Sequence, residues 1–172
     1  NHFYGSSGHN DLVDITAGKW GVTPVLDVQD NYFHGPTGDE HIDLNGDAYI
    51  AGNIFENCTK DIYTSDHGYA NAISSDAGGT DTTIVVVRNV FTHCDHAVNV
   101  KRGCGVIFEH NTVADVNADY HFERTSGTTT FVQDVKGSAI NFFIPEDTGR
   151  PGDGAYVAWN IRSEERRVGK EC

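Results

Sequence analysis

Five asparagines, Asn31, Asn53, Asn89, Asn111 and Asn160, sit in one repeated local pattern. Five places before them stand Leu26, Ala48, Ile84, Val106 and Ala155, and three places before them Val28, Ile50, Val86, Phe108 and Val157. All ten are apolar. After the asparagines come Tyr32-Phe33, Ile54-Phe55, Val90-Phe91, Thr112-Val113 and Ile161, so the unit reads apolar-x-apolar-x-x-Asn-x-Phe. Successive asparagines lie 22, 36, 22 and 49 residues apart, which is a basic period of 22 with insertions in two copies.

Short alternating segments at this period exclude most repeat architectures, because helical repeats need about 33 to 47 residues and propeller blades about 40 or more. Leucine-rich repeats share the period but need a leucine ladder, and leucine occurs only at Leu12, Leu26 and Leu44. The parallel β-helix remains, with coils stacked at the inter-strand spacing of about 4.8 Å and equivalent positions above one another. Asparagine suits its corners, since the short amide tolerates left-handed backbone and hydrogen-bonds locally. The five residues are therefore expected to form an asparagine ladder.

The segments VLDVQDNYF, AYIAGNIFENC, IVVVRNVFTHC and VIFEHNTVADV carry this pattern from Val25 to about Phe122. Here the chain resembles the right-handed parallel β-helix repeat proteins, the superfamily that includes pectate-lyase-like polysaccharide enzymes. The resemblance implies an all-β, right-handed, single-stranded solenoid and a secreted, extracellular or cell-surface protein that engages or processes polysaccharide. It also implies substrate along the outer face of one sheet, where acidic residues hold Ca²⁺. Fold alone does not license an activity, so a non-catalytic structural or adhesive module is the alternative.

A second family of strands follows the asparagines. Val13-Asp14-Ile15, Ile42-Asp43-Leu44, Val98-Asn99-Val100 and Tyr120-His121-Phe122 alternate with period two, so the apolar pair of each points inward and Asp14, Asp43, Asn99 and His121 form an outward column. In the copy that carries the 61–69 insertion, Asn71 takes the equivalent place. The 29 residues between Asp14 and Asp43 make one coil, so two carboxylates become neighbours and require a cation or a basic residue, with His9 and His41 the closest in sequence. Phe131–Val135 and Ala139–Ile144 read as further strands, in one extended coil or two. Tyr49 and Tyr156 share a column.

Residues 162–172, RSEERRVGKEC, read as the in-frame translation of a sequencing adapter and are expected to be foreign to the repeat domain of 1–161. The chain begins without Met inside the repeat pattern, as an internal fragment would. Without that tail's four basic and three acidic residues, 8 Lys and Arg stand against 22 Asp and Glu. Such an acidic surface with scattered cations disfavours nucleic acid, and no apolar run approaches the 18 or so residues of a membrane span. A monomer is expected. Cys58 and Cys94 each follow a ladder asparagine by five residues and should stack, either as a disulfide or as buried free thiols, the latter expected.

Lyase chemistry needs a base for the proton α to a uronate carboxylate and a cation for the charge that develops. Lys101, directly after the strand Val98–Val100, and His121 and Arg124 one step further along the chain are the catalytic candidates. NVKRGCGVIFEHNT resembles the strand, lysine and Asn-Thr spacing of alginate and chondroitin lyases of this fold, although Glu123 separates Phe122 from Arg124 and shifts the alternation. Asp14, Asp43 and Asn99 are the substrate-binding candidates, and Asp39, Glu40 and Asp43 the calcium ligands, since carboxylates suit that hard cation. The run Asp43–Asp47 lacks the glycine and closing acid of an EF-hand. No G-x-S-x-G, P-loop or H-E-x-x-H motif is present.

Overall fold

A computed structural model describes residues 1–5, 11–22, 25–36, 39–59, 70–76, 81–116, 119–126, 129–142 and 154–163. The chain winds through three short strands per coil. The first coil contains β1 (His2–Tyr4), β2 (Val13–Thr16) and β3 (Leu26–Gln29), and the second β4 (Tyr32–His34), β5 (Glu40–Asn45) and β6 (Ala48–Ala51). The third contains β7 (Ile54–Glu56), β8 (Asn71–Asp76) and β9 (Thr82–Val87), and the fourth β10 (Val90–Thr92), β11 (His96–Val100) and β12 (Cys104–Glu109). The fifth runs from β13 (Thr112–Ala114) through β14 (Asp119–Ser126) and β15 (Thr129–Lys136) to β16 (Ser138–Phe142) and β17 (Gly154–Ala158), and β18 (Ile161–Ser163) opens a sixth.

Equivalent strands pair in parallel into three sheets, ordered β1-β4-β7-β10-β13-β18, β2-β5-β8-β11-β16 and β3-β6-β9-β12-β17. The fold is an all-β parallel β-helix. Among the described residues no helix is long and apolar enough to cross a membrane. The register stacks Phe3, Phe33, Phe55 and Phe91 in the first sheet, with ring centroids 4.8, 4.9 and 5.0 Å apart. Leu26, Ala48, Ile84, Val106 and Ala155 stack in the third. Phe33, Phe55, Phe91, Ile50, Ile84 and Val86 are fully enclosed.

The asparagine ladder forms as the period requires. Asn31, Asn53, Asn89, Asn111 and Asn160 are linked in order by side-chain amide hydrogen bonds of 3.0 to 3.2 Å, and each of the first four also donates its backbone N–H to the next Oδ1. Asn1 adds a rung, donating from Nδ2 to Asn31 Oδ1. The expected backbone assignment needs correction: the left-handed residue is the one before each asparagine, namely Asp30, Gly52, Arg88, His110 and Trp159. A second left-handed corner lies four residues after the asparagine, at Gly35, Asn57, His93 and Asp115. Non-glycine residues pay about 1–2 kcal/mol there, which the ladder's several buried hydrogen bonds, at about 1 kcal/mol net each, offset. Gly46, at φ 128°, is constrained by space as well, because a Cβ there would lie 2.6 Å from the backbone Ala17 O.

A second device ties three coils together. Asp47, 2 % exposed, accepts the backbone N–H of Trp20 at 2.7 Å through Oδ2 and that of Thr83 at 2.6 Å through Oδ1. Asp47→Ala strands both donors and is expected to cost about 3 kcal/mol by urea unfolding, whereas Asp27→Ala on the outer face of the same sheet should cost under about 0.5 kcal/mol.

Two expectations change, and one that the sequence left open is decided. The stretch from Asn111 to Asn160 is one coil with a long excursion, since β14 and β15 pair antiparallel and β16 and β17 supply the coil's own strands. Tyr120-His121-Phe122 belongs to that hairpin, and the place assigned to it in the second sheet is taken by β16. The alternation there suited a hairpin strand as well as a coil strand, so the pattern did not discriminate. Asp43 pairs with Ser74 rather than Asn71. Tyr49 and Tyr156 do share a column, with Val85 and Ile107 between them. Cys58, Cys94 and Cys104 are free and buried. Arg162 and Ser163 continue β18 beside Val113 and Ala114, and residues 164–172 lie outside the described residues.

Candidate functional site

The second sheet carries the polar column. Its register runs Asp14, Asp43, Ser74, Asn99, Asn141. Ile42, Leu44, Ile73, Val98 and Val100 flank it and are buried in the core, so alternation directs the column away from the core. Asp14 is exposed and Asp43 half-buried, while Ser74 and Asn99 are only 0 % and 4 % exposed. The column is open at one end and covered in the middle. Asn141 donates to Asn99 Oδ1 at 3.0 Å, and a buried Asp43 Oδ1 has no hydrogen-bond partner among the described residues.

Three residues upstream a second polar row follows the same rungs: Glu40, Asn71, His96 and Ser138. Asn71 donates from Nδ2 to Glu40 Oε1 at 2.8 Å, and Ser138 donates its backbone N–H to His96 Nδ1 at 3.0 Å. Asp11 closes the row in the first coil, its Oδ1 accepting the Glu40 N–H at 2.8 Å. Oxygens of Asp11, Asp39 and Glu40 all lie within 4.8 Å of one another. The resemblance assigned the cation to Asp39, Glu40 and Asp43; the first two do cluster, and Asp11 takes the third place. Asp11 was legible, since the 29-residue step that pairs Asp14 with Asp43 also pairs Asp11 with Glu40.

The electrostatics follow from packing these acids together. Burial, reinforced by Asp39, pushes the Glu40 carboxyl well above the usual carboxylate range, and Lys101 opposes it. Burial raises Asp11 as well. Asp43 is raised by burial and drawn back by Lys101. Lys101, on the residue after β11, is thus the cation that compensates this face. Of the two histidines expected in that role, His41 lies beside Phe33 and Phe55 with its ring nitrogen 3.0 Å from Gly35 O, and His9 lies outside the described residues. At the edge of the face Arg102 bridges to Asp76 at 2.9 Å.

Of the catalytic candidates, Lys101 joins the acidic group. His121 and Arg124 sit on β14, opposite Asp134 and Phe131 of β15, and their side chains lie outside the described residues. The hairpin follows β13 and precedes β16, so it leaves the solenoid between the first and second sheets. No family model matches this chain, and neither a curated protein nor a solved structure matches it.

Proposed function

We propose that this β-helix engages a uronate-bearing polysaccharide along the outer face of its second sheet, in the manner of a lyase or epimerase, as an extracellular protein. The observation that carries the reading is the gathering of Asp11, Asp14, Asp39, Glu40 and Asp43 on adjacent rungs with Lys101 in their field. Three carboxylates with oxygens this close form an all-oxygen donor set of the kind Ca²⁺ takes, and Asp11, Asp39 and Glu40 would hold it. A bound Ca²⁺ would supply positive charge toward a substrate carboxylate. The Lys101 ammonium is the group that would stabilise the charge developing on the uronate carboxylate.

The test is release of unsaturated uronate from polygalacturonate or alginate by the full chain in the presence of Ca²⁺, followed by ultraviolet absorbance. Lys101→Met is expected to lower the rate by about 100-fold or more, read per folded molecule because it also removes the charge that compensates Glu40 and Asp43. A second reading, a non-catalytic module, is favoured by the coverage of Ser74 and Asn99. Absence of unsaturated product and of any change in uronate epimer content from wild type on both polymers would overturn the catalytic reading.

A further inference from the structure

We infer that Cys58 and Cys94 are a latent disulfide, a staple that closes between the third and fourth coils when the protein meets a small-molecule disulfide. The two residues occupy equivalent positions, each directly after a left-handed corner, at Asn57 and at His93. Backbone hydrogen bonds flank the pair: Asn57 N–H to Thr92 O at 3.0 Å and Asp95 N–H to Cys58 O at 2.9 Å. That parallel register sets their Cα atoms about 4.8 Å apart, inside the range of about 4.4–6.8 Å that a disulfide spans. Both side chains are core residues, 0 % and 2 % exposed, and the Cys94 thiol lies 3.7 Å from Phe55 O and 3.5 Å from Thr92 O, weak contacts that closing the staple gives up. The strands of both coils have ended by this point, so turning the sulfurs toward each other breaks no ladder bond of the sheet. Cys104 stands apart on β12, with its Sγ 3.4 Å from Gly105 O.

The chemistry closes in two exchanges. As the corner opens, the thiolate of one cysteine displaces one thiol from oxidised glutathione and forms a mixed disulfide. The other cysteine, deprotonated in turn, attacks the protein sulfur of that mixed disulfide and releases the second glutathione thiol. Two electrons pass from the protein sulfurs to glutathione, and the two protons that the cysteines lose match the two thiols released. Because both sulfurs are enclosed, the rate is set by opening of the corner rather than by thiol reactivity, and it rises steeply on warming.

The experiment uses the full chain carrying Cys172→Ser, warmed below its melting temperature with oxidised or reduced glutathione. The expected product of the oxidised arm is lighter by two hydrogens, yields a Cys58–Cys94 cross-linked peptide, and melts about 10 °C higher than the reduced arm. Cys58→Ala and Cys94→Ala abolish the cross-link and the shift, and Cys104→Ala leaves both intact. Glutathione adducts without the cross-link, pairing through Cys104, or an unchanged mass would each overturn the staple. The mass and peptide readouts on the native pair stand even where an alanine variant folds poorly.

Discussion

Asn89→Ala is expected to lower stability by about 4 kcal/mol, a loss shared by Asn53, which makes the equivalent five hydrogen bonds. Asn89 sits in the middle of the stack and is 1 % exposed. Its Oδ1 accepts both the backbone N–H and the Nδ2 of Asn53, and its own Nδ2 donates to Ile50 O, Val87 O and Asn111 Oδ1. Alanine removes all of these and leaves a buried Asn53 N–H and buried carbonyls that water cannot reach, each costing about 1–3 kcal/mol. Asn31 has fewer protein partners and more solvent, so Asn31→Ala is expected to cost about 1 kcal/mol. Urea unfolding of both variants, at constant slope, checks the contrast. Equal losses would mean that the ladder does not act as a buried network.

The second large effect is on acid sensitivity. His41 and His96 are both held by burial at a pKa of about 4, against 6.5 for a free histidine. Between pH 6.5 and 4 the unfolded chain takes up protons that the native histidines refuse, so their contribution is present above pH 6.5 and is lost as pH falls toward 4. Each is worth about 3 kcal/mol over that range, and the pair about 6 kcal/mol. The acids run the other way. Asp11, Glu40 and Asp43 have raised native pKa values, so their cost is present at high pH and is relieved as pH falls through those values toward 3.8 and 4.5.

The two limbs separate in a variant. His41→Phe loses the Gly35 contact at neutral pH, about 1 kcal/mol, but carries no buried proton site. It is expected to be less stable than wild type at pH 7 and more stable at pH 4, with the difference swinging by about 3 kcal/mol. Denaturant unfolding at both pH values measures the swing. Parallel pH profiles for variant and wild type would show that His41 is not held neutral by the fold.

Much of this fold was legible because a solenoid turns sequence period into spatial register. Once Asn31, Asn53, Asn89 and Asn111 were aligned, the Phe stack, the Leu26 column and the Asp14–Asp43 pairing followed from counting. Counting failed where insertions interrupt it. Asn71 stood in for Ser74 because the 61–69 segment hides the start of β8, and Tyr120–Phe122 passed for a coil strand because a hairpin strand alternates with the same period. The left-handed residue was misplaced for a different reason. Arg88 and Trp159 belong to residue types with no preference for that conformation, and the ladder's hydrogen bonds beside them, which no local pattern reveals, offset its cost. The acidic group was half legible: Asp39 and Glu40 are sequence neighbours of Asp43, whereas Asp11 joins them only through the coil step.

The most direct measurement of the proposed site is calorimetric titration of a galacturonate or guluronate oligomer into the full chain, with and without Ca²⁺, for wild type, Asp39→Asn and Asp27→Asn. Binding that needs Ca²⁺, weakens at least about tenfold in Asp39→Asn and is unchanged in Asp27→Asn, on the third sheet, is the expected result, a tenfold loss corresponding to about 1.4 kcal/mol. No binding in any condition, or equal binding by Asp39→Asn and wild type, would contradict the assignment of the second sheet's outer face as a cation-dependent polysaccharide site.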